Sequence, residues 1–168
     1  MKKPLVGILM GSDSDLPVMG KAREVLDEMG VPWEMDICSA HRLPDKTAEY
    51  ARLARERGIE VLIAGAGMAA HLAGVVASQT TLPVIGVPLA SGAIGGVDAL
   101  YSTVQMPPGI PVATVAVDGA KNAAYLACSI LSIKHAEVAD RLDKFRQDTR
   151  EALLAKSAAL QQQLGGHE

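Results

Sequence analysis

Short apolar runs alternate along the chain with longer segments whose apolar residues recur every three or four positions. Three runs, residues 5–10, 61–64 and 84–87, are nearly continuous, which is typical of parallel strands covered by helices on both faces. The run 33–37 instead alternates apolar with acidic residues, and this pattern predicts an edge strand with one wetter face. A fifth run, 112–117, follows a proline-rich turn. The sequence therefore predicts five strands.

Helical patterns separate these runs. The first begins near Ser14 or Asp15, which can cap free amide groups, has Pro17 in its first turn and ends at Gly30. Further helices are predicted over residues 44–57, over 97–104 and over 120–133, and another that starts around Met68 and includes His71. This alternation predicts an α/β fold: a three-layer α/β/α sandwich with a five-stranded parallel sheet in the flavodoxin-like order 2-1-3-4-5.

A last amphipathic segment, residues 137–164, carries one narrow apolar stripe among charged and glutamine side chains. This length predicts an extended C-terminal helix, at about residues 135–164, that packs on neighbouring subunits as well as on its own core. The alternative is a solvated helix that lies on its own domain. The size of the chain, 168 residues, predicts a single domain over residues 1–168.

Composition and charge limit how the core can be built and which classes of binding partner are expected. Aromatic residues make up 3% of the chain and glycines number 16, so the core must be built from small aliphatic side chains with closely approaching backbones. A formal net charge of −3 provides no electrostatic footprint for nucleic acid. The apolar run at residues 5–10 is too short for a signal peptide or a membrane span, so no membrane partner is expected.

The two cysteines, Cys38 and Cys128, have neither zinc-site spacing nor the pattern of a disulfide framework. This usage favours a reduced cytoplasmic compartment. Cys38 stands next to a polar segment, and two interpretations of it are open: a catalytic thiol, or a buried residue at the end of a strand.

Small and polar residues follow three of the predicted strands. They form the segments 11–15 (Gly-Ser-Asp-Ser-Asp), 39–42 (Ser-Ala-His-Arg) and 65–72 (Gly-Ala-Gly-Met-Ala-Ala-His-Leu). Ligands of open α/β sheets bind in the crevice at the carboxyl ends of the strands. We therefore expect the three segments to face one ligand.

The first two segments favour a sugar phosphate. Ser12 and Ser14 lie at a helix start that can attract an anion, although the same residues also cap helices that bind nothing. The glycine spacing and the lysine of nucleotide-binding loops are lacking, which disfavours ATP and NAD. Asp15 can accept hydrogen bonds from ribose hydroxyls. Arg42 has a planar guanidinium group that can donate two parallel hydrogen bonds to a phosphate. The alternative is an ordinary surface arginine.

Two histidines lie in these segments. An imidazole side chain can both take and give a proton, so His41 is the leading acid/base candidate, although a lone histidine is more often structural. His71 stands in a glycine and alanine loop that lets a ligand approach the backbone, which favours binding. His135 and His167 are expected at the surface. No recognised ligand spacing accompanies these histidines, so no metal site is predicted.

The three segments also occur together with Gly86-Val87-Pro88, Gly-Val-Asp-Ala-Leu at 96–100, Val-Gln-Met-Pro at 104–107 and Ala-Lys-Asn-Ala-Ala at 120–124. In this order the motifs closely resemble the PurE family of purine biosynthesis, over about residues 4–150. The third segment is similar to that of class I, the 5-(carboxyamino)imidazole ribonucleotide mutases. Met68 and Ala73 depart from the family pattern, which usually has glycine and proline there.

The resemblance implies a cytoplasmic mutase that moves a carboxylate from the exocyclic nitrogen of an imidazole ribonucleotide to ring carbon C4 through a retained CO2. It implies neither cofactor nor metal, and a homo-oligomer, expected to be an octamer. It assigns His41 as general acid/base. The substrate-binding positions are Ser12, Asp15 and Arg42, with His71 lining the site and Ser14, Ser39, Ala66, Gly67 and Leu72 as further contacts.

Two other functions remain open on sequence grounds. One is the class II reaction, in which aminoimidazole ribonucleotide is carboxylated directly with free CO2. The other is a nucleotide-binding module without catalysis.

Overall fold

A computed structural model describes residues 3–165 and contains five strands and six α-helices, which alternate along the chain except that the last two helices follow each other. The strands are β1 Val6–Met10, β2 Trp33–Ile37, β3 Val61–Gly67, β4 Val84–Leu89 and β5 Ala113–Thr114. The helices are α1 Leu16–Glu28, α2 Pro44–Leu53, α3 Leu72–Gln79, α4 Val97–Val104, α5 Ala120–Leu131 and α6 Ala136–Gly165. One turn of 3₁₀ helix, Asp13–Asp15, precedes α1.

All strands pair in parallel, in the order β2-β1-β3-β4-β5. In the register, Met10 lies opposite Ile37 on one side and Gly65 on the other. The carboxyl ends of the three strands that precede the polar segments are therefore level with one another. The predicted fold class, the strand order and the edge position of β2 are confirmed.

Each face of the sheet has its own apolar cluster. Side chains that alternate along β1, such as Val6 and Ile8, pack with α1 and α5, and the start of α6 joins them. Leu9 and Leu62 point to the other face, where α2 and α3 cover them. Because both faces are covered, the central strands are apolar throughout, as the sequence pattern predicted.

Several element boundaries differ from the prediction. Helix α2 ends at Leu53 rather than at residue 57, and turns lead from there to Gly58. Helix α3 begins at Leu72 rather than near Met68, because Met68 has a φ of 55° and a right-handed helix cannot contain that conformation. Strands β3 and β4 instead run further than predicted, to Gly67 and Leu89.

The last strand, β5, is shorter than the predicted run 112–117. Beyond Thr114, Val115 still donates to the carbonyl of Gly86, and Asp118 donates to the carbonyl of Pro88. In a strand the N–H and C=O of one residue point to the same neighbouring strand, and the Pro88 carbonyl points towards β5. Because proline has no N–H, Pro88 cannot donate the hydrogen bond that would continue the pairing with β5. The ladder therefore stops after two residues.

His135 is half-buried rather than at the surface, where it was expected. Its Nε2 lies 3.0 Å from Glu60 Oε2, and Lys134 Nζ lies 2.5 Å from Glu60 Oε1. Glu60 directly precedes β3, so these bonds tie the junction of α5 and α6 to the amino end of the sheet. His167 lies outside the described residues.

Helix α6 packs on the body only through its first third. Val138 and Leu142 are buried, Phe145 stacks on Tyr125 with 4.6 Å between ring centroids, and Arg141 Nη1 donates to the Met29 carbonyl at 2.6 Å. Every residue from 146 to 165 is exposed. Within residues 3–165, no helix combines the length and apolar character needed to cross a membrane.

Glu60 predicts a pH-dependent term in stability. Burial alone raises its pKa, but the bonds from Lys134 and His135 outweigh burial and hold the pKa below its usual value. A carboxyl with a lowered pKa stabilises the fold above its unfolded pKa, and this stability is lost as the pH falls through the folded pKa. Glu60→Gln should therefore lower the free energy of unfolding by about 1 kcal/mol near neutral pH and by less in acid.

Denaturant unfolding at several pH values measures this difference. Asp148→Asn is the matched control, because Asp148 pairs with Lys144 on the exposed part of α6 and such pairs contribute only about 0.3–0.5 kcal/mol. An equal deficit for Glu60→Gln at neutral and acidic pH contradicts the prediction.

Candidate active site

Four loops meet in one cleft at the carboxyl edge of the sheet. The cleft has a volume of about 390 Å³. It is lined by Gly11, Ser12, Ser14, Asp15, Ser39, Ala40, His41, Arg42, Ala66, Gly67, Met68, Ala69, His71, Leu72 and Ser91. All residues that the family resemblance assigned to catalysis or substrate binding are in this set. The structure thus brings the predicted site residues together, while their roles stay predictions.

The centre of the cleft is a pair of histidines. His41 Nε2 lies 2.8 Å from His71 Nδ1, and the two rings are nearly perpendicular. At this distance one ring nitrogen donates and the other accepts. If both rings were fully protonated, two N–H groups would point at each other. While the bond is kept, the pair therefore carries at most one positive charge.

Arg42 connects two of the loops. Its Nη2 donates to the Gly11 carbonyl at 2.8 Å and its Nε to the Ser39 hydroxyl at 3.4 Å. The Arg42 backbone N–H donates to the same hydroxyl at 3.3 Å, and Ser39 is itself buried. Among residues 3–165, the other three N–H groups of the guanidinium make no hydrogen bond, so a positive group with free donors faces the cleft.

The turn at residues 11–15 is closed by its own side chains. Ser12 caps the 3₁₀ turn, its hydroxyl accepts from the Ser14 N–H at 3.4 Å, and Asp15 Oδ2 accepts from the Ser12 N–H at 3.1 Å. This reciprocal arrangement is a capping box. The N–H groups of Ser12 and Ser14 therefore already have partners within the turn and are not free to bind an anion.

Asp15 is half-buried beside this turn. Burial raises the pKa of its carboxyl, and the lowering effects of the Ser12 and Gly11 backbone bonds and of the Arg42 charge do not cancel that rise. One carboxylate oxygen serves the turn. Asp15 lies next to Arg42, so a hydrogen-bond acceptor stands beside a cation. This pair of groups suits a ligand that carries both a hydroxyl, for the carboxylate, and a phosphate, for the guanidinium.

The two departures from the family pattern lie in the loop after β3 and in the first turn of α3. Ala73 lies in the first turn of α3, where either proline or alanine fits helix geometry. Met68 is more consequential, because its φ of 55° is a left-handed conformation that costs a non-glycine residue about 1–2 kcal/mol. Ala66 and Gly67 end β3 and line the cleft, and Leu72, which also lines it, is buried.

Ser91 lines the cleft and was not singled out from the sequence. It follows β4, next to β3 in the sheet, and its side chain fills the space that a Cβ on Gly67 would need. The rule that directed attention to the ends of the other strands applies equally to β4. The signal was therefore available in the sequence.

A larger cleft, of about 780 Å³, lies at the opposite edge of the sheet. It is bounded by the ends of α2 and α3 and the loops before β4 and β5, with Arg52 bonded to Gln79 and Arg55 to Thr81. None of the predicted site residues lines it. Size alone does not decide where chemistry occurs, and the smaller cleft is the candidate.

Cys38 is buried at the end of β2 and does not line the cleft. Its N–H donates to the Met10 carbonyl, which continues the β1–β2 pairing. Burial, followed by the nearby Asp36 charge, raises the pKa of the thiol to about 11. These observations favour the interpretation as a buried strand-end residue. Among residues 3–165, no three His, Cys, Asp or Glu side chains are grouped to hold a metal ion.

Comparison with known proteins decides the family. The family model described as AIR carboxylase matches residues 5–152. The chain belongs to this family. As an AIR carboxylase family member it is 58% identical to the N5-carboxyaminoimidazole ribonucleotide mutase of Pyrococcus horikoshii, over 96% of this chain and 91% of the relative.

Two further relatives of this AIR carboxylase family member are informative. The crystal structure of Treponema denticola PurE superposes with a TM-score of 0.83 at 32% identity, covering 94% of this chain and 98% of the other. The phosphoribosylaminoimidazole carboxylase of Schizosaccharomyces pombe is 50% identical over 96% of this chain, which spans 29% of that longer protein. The resemblance to PurE proteins is confirmed.

The raised pKa of Cys38 predicts an unreactive thiol. Near neutral pH it stays protonated and shielded, so iodoacetamide should leave the folded protein unmodified at this position. Cys128, buried in α5 with a pKa also raised to about 11 by burial, is the internal control. Peptide mass spectrometry after alkylation, folded and in guanidinium chloride, measures both. Rapid labelling of Cys38 alone in the folded protein contradicts the prediction.

Proposed function

We propose that this chain is an N5-carboxyaminoimidazole ribonucleotide mutase, which moves a carboxylate from the exocyclic nitrogen to ring carbon C4 without ATP, biotin or metal. The observation that carries the proposal is the convergence of the His41–His71 pair and the Arg42 guanidinium on one cleft. The identity to relatives of that name supports the choice of reaction.

The nucleotide's phosphate binds at Arg42, which keeps free N–H donors at the cleft. Ser12, Ser14 and Ser39 supply hydroxyl groups around it. Asp15 accepts hydrogen bonds from the ribose, because a carboxylate repels phosphate but attracts hydroxyl donors. The substrate then spans the cleft with its base toward the histidines.

The reaction balances without a co-reactant. His41 gives a proton to the exocyclic nitrogen, the bond from that nitrogen to the carboxylate carbon breaks, and an amine and CO2 result. Ring carbon C4 then bonds to the CO2 carbon. The proton on C4 leaves to His41, which restores both the ring and the histidine. One proton is given and one is taken, so the same side chain serves as acid and base.

His71 acts on this exchange through its bond to His41. Because the pair holds at most one positive charge, a protonated His41 donates from Nε2 to Nδ1 of a neutral His71 and keeps its Nδ1–H for the substrate. The bond also orients the His41 ring, since one of its nitrogens is engaged and the other is left for the substrate. His71 is thus a positioning residue as well as part of the wall.

Retention of CO2 contributes at least as much as proton transfer. A positioned acid or base contributes about 10²–10⁴ in rate, whereas holding two fragments together reaches effective molarities of ~10⁵ M or more. Ala66, Gly67 and Leu72 supply an apolar surface near the histidines. Such a surface suits a small neutral molecule because it offers no hydration.

The homo-oligomer belongs to the same proposal. Val97, Tyr101 and Val104 form an exposed apolar stripe along α4, and Leu153 and Leu160 are exposed on α6. A second copy of the chain is the expected cover, because the family resemblance implies an octamer with sites near subunit boundaries. The single domain, the cytoplasmic location and the octamer stay predictions.

The direct carboxylase is the second candidate, favoured by the 50% identity to a protein of that name. The non-catalytic nucleotide-binding module is the third. One experiment separates them: the carboxyamino ribonucleotide is supplied in buffer with isotope-labelled bicarbonate, and the C4 carboxylate is followed by mass spectrometry. A mutase yields mostly unlabelled product. Labelled product indicates the carboxylase, and no product indicates the module.

Two neighbouring substitutions separate turnover from binding. His41→Asn should leave nucleotide affinity nearly intact and reduce kcat by about 10²–10⁴-fold or more, because the proton donor is lost. Arg42→Ala should weaken nucleotide binding about 10- to 100-fold, because charge-assisted hydrogen bonds contribute ~1.5–3 kcal/mol each. Calorimetric titration and initial rates measure both, and each variant is the control for the other. Undiminished turnover in the first or an unchanged Kd in the second refutes that assignment.

A further inference from the structure

Met68 stands at the mouth of the cleft in a conformation that favours glycine. Its φ is 55°, and its side chain lines the cleft and is 60% exposed. A strained residue persists only where the surrounding structure holds it, and such residues cluster at functional sites. The residues next to the Met68 side chain therefore indicate what the methionine does.

Its neighbour is a glycine-rich segment, residues 92–95, which we call the glycine loop. Three glycines with positive φ, Gly92, Gly95 and Gly96, lie in or directly after it. Before the loop, the Ala90 N–H donates to Asp118 Oδ1 at 2.9 Å, and Ser91 packs on Gly67. All four residues of the loop are exposed in this chain, so the contacts that position the loop lie at its ends.

Met68 is the neighbour of this loop at its first residue. Its Cγ lies 3.5 Å and its Sδ 4.0 Å from the point where a Cβ on Gly92 would stand, so the thioether lies beside the open face of this glycine. The corresponding point on Gly95 has no heavy atom within 4 Å. The methionine side chain thus bridges the loop after β3, which carries His71, and the loop after β4, which carries Ser91.

We infer that Met68 is a specificity-determining residue: it holds the glycine loop beside the mouth of the cleft and so limits exchange of CO2 between the site and solvent. The inference rests on the proposed function, in which CO2 is released from nitrogen and recaptured by C4. Recapture competes with escape. A residue that slows escape favours transfer of the original carboxylate over uptake of carbon from solution.

The chemistry of methionine fits this role. An unbranched thioether fills an irregular gap and adapts to a mobile neighbour, and it offers CO2 no strong hydrogen-bond donor. A glycine at position 68 adopts the same φ without strain but leaves the space beside Gly92 empty. Removing the side chain therefore tests the contact without disturbing the backbone.

The experiment compares the wild-type protein with Met68→Gly and Met68→Leu. Each is given the unlabelled carboxyamino ribonucleotide in labelled bicarbonate, and the labelled fraction of the C4 carboxylate is measured at low conversion. Met68→Gly should raise the ratio of labelled to unlabelled product about three- to tenfold, the change in a rate ratio that loss of one apolar contact produces. Met68→Leu keeps apolar bulk at the loop and should stay near the wild-type ratio.

The readout is a ratio within the product, so a general loss of activity does not alter it. Thermal unfolding of Met68→Gly checks folding, and relief of the left-handed strain predicts a Tm no lower than that of Met68→Leu. Unlabelled product at the same level in all three proteins overturns the inference alone. Fully labelled product from the wild-type protein overturns the proposed function, and the inference with it.

Discussion

Parallel pairing in register is the constraint on which the site depends. Met10, Ile37 and Gly65 lie side by side across three strands, so the chain leaves the sheet at one level in each case. Three segments separated by about thirty residues along the sequence are thereby brought within hydrogen-bond distance. The bond between His41 and His71 and the bond from Arg42 to Gly11 both cross between strands, and neither could form in another register.

The electrostatics of the cleft follow from few groups. Arg42 brings one permanent positive charge, Asp15 one carboxylate in a partly desolvated position, and the histidine pair at most one more positive charge. In the proposed function the phosphate binds at Arg42 and proton transfer occurs at the histidine pair of the same cleft. A substrate that carries a phosphate at one end and a carboxyamino ring at the other fits this distribution better than a compact anion does.

The sequence pattern predicted those features of the fold that depend on residues close together in the chain. Continuous apolar runs located the buried strands, and alternation located the edge strand. The start of α3 was predicted too early, because a hydrophobicity pattern does not show that the φ angle of Met68 is positive. The length of β5 depends on Pro88 in the adjacent strand, and the burial of His135 depends on Glu60, which is 75 positions away. Only Ser91 could have been found with the rule already in use.

The exposed part of helix α6 couples its helical order to the binding of another surface. From residue 146 onward it makes no buried contact within the chain, and the family match ends at residue 152. A helical stretch of that length is only marginally stable in water on its own. A surface that covered its leucines would supply part of the free energy that keeps it helical, and the population of the ordered tail would then rise with the concentration of that partner.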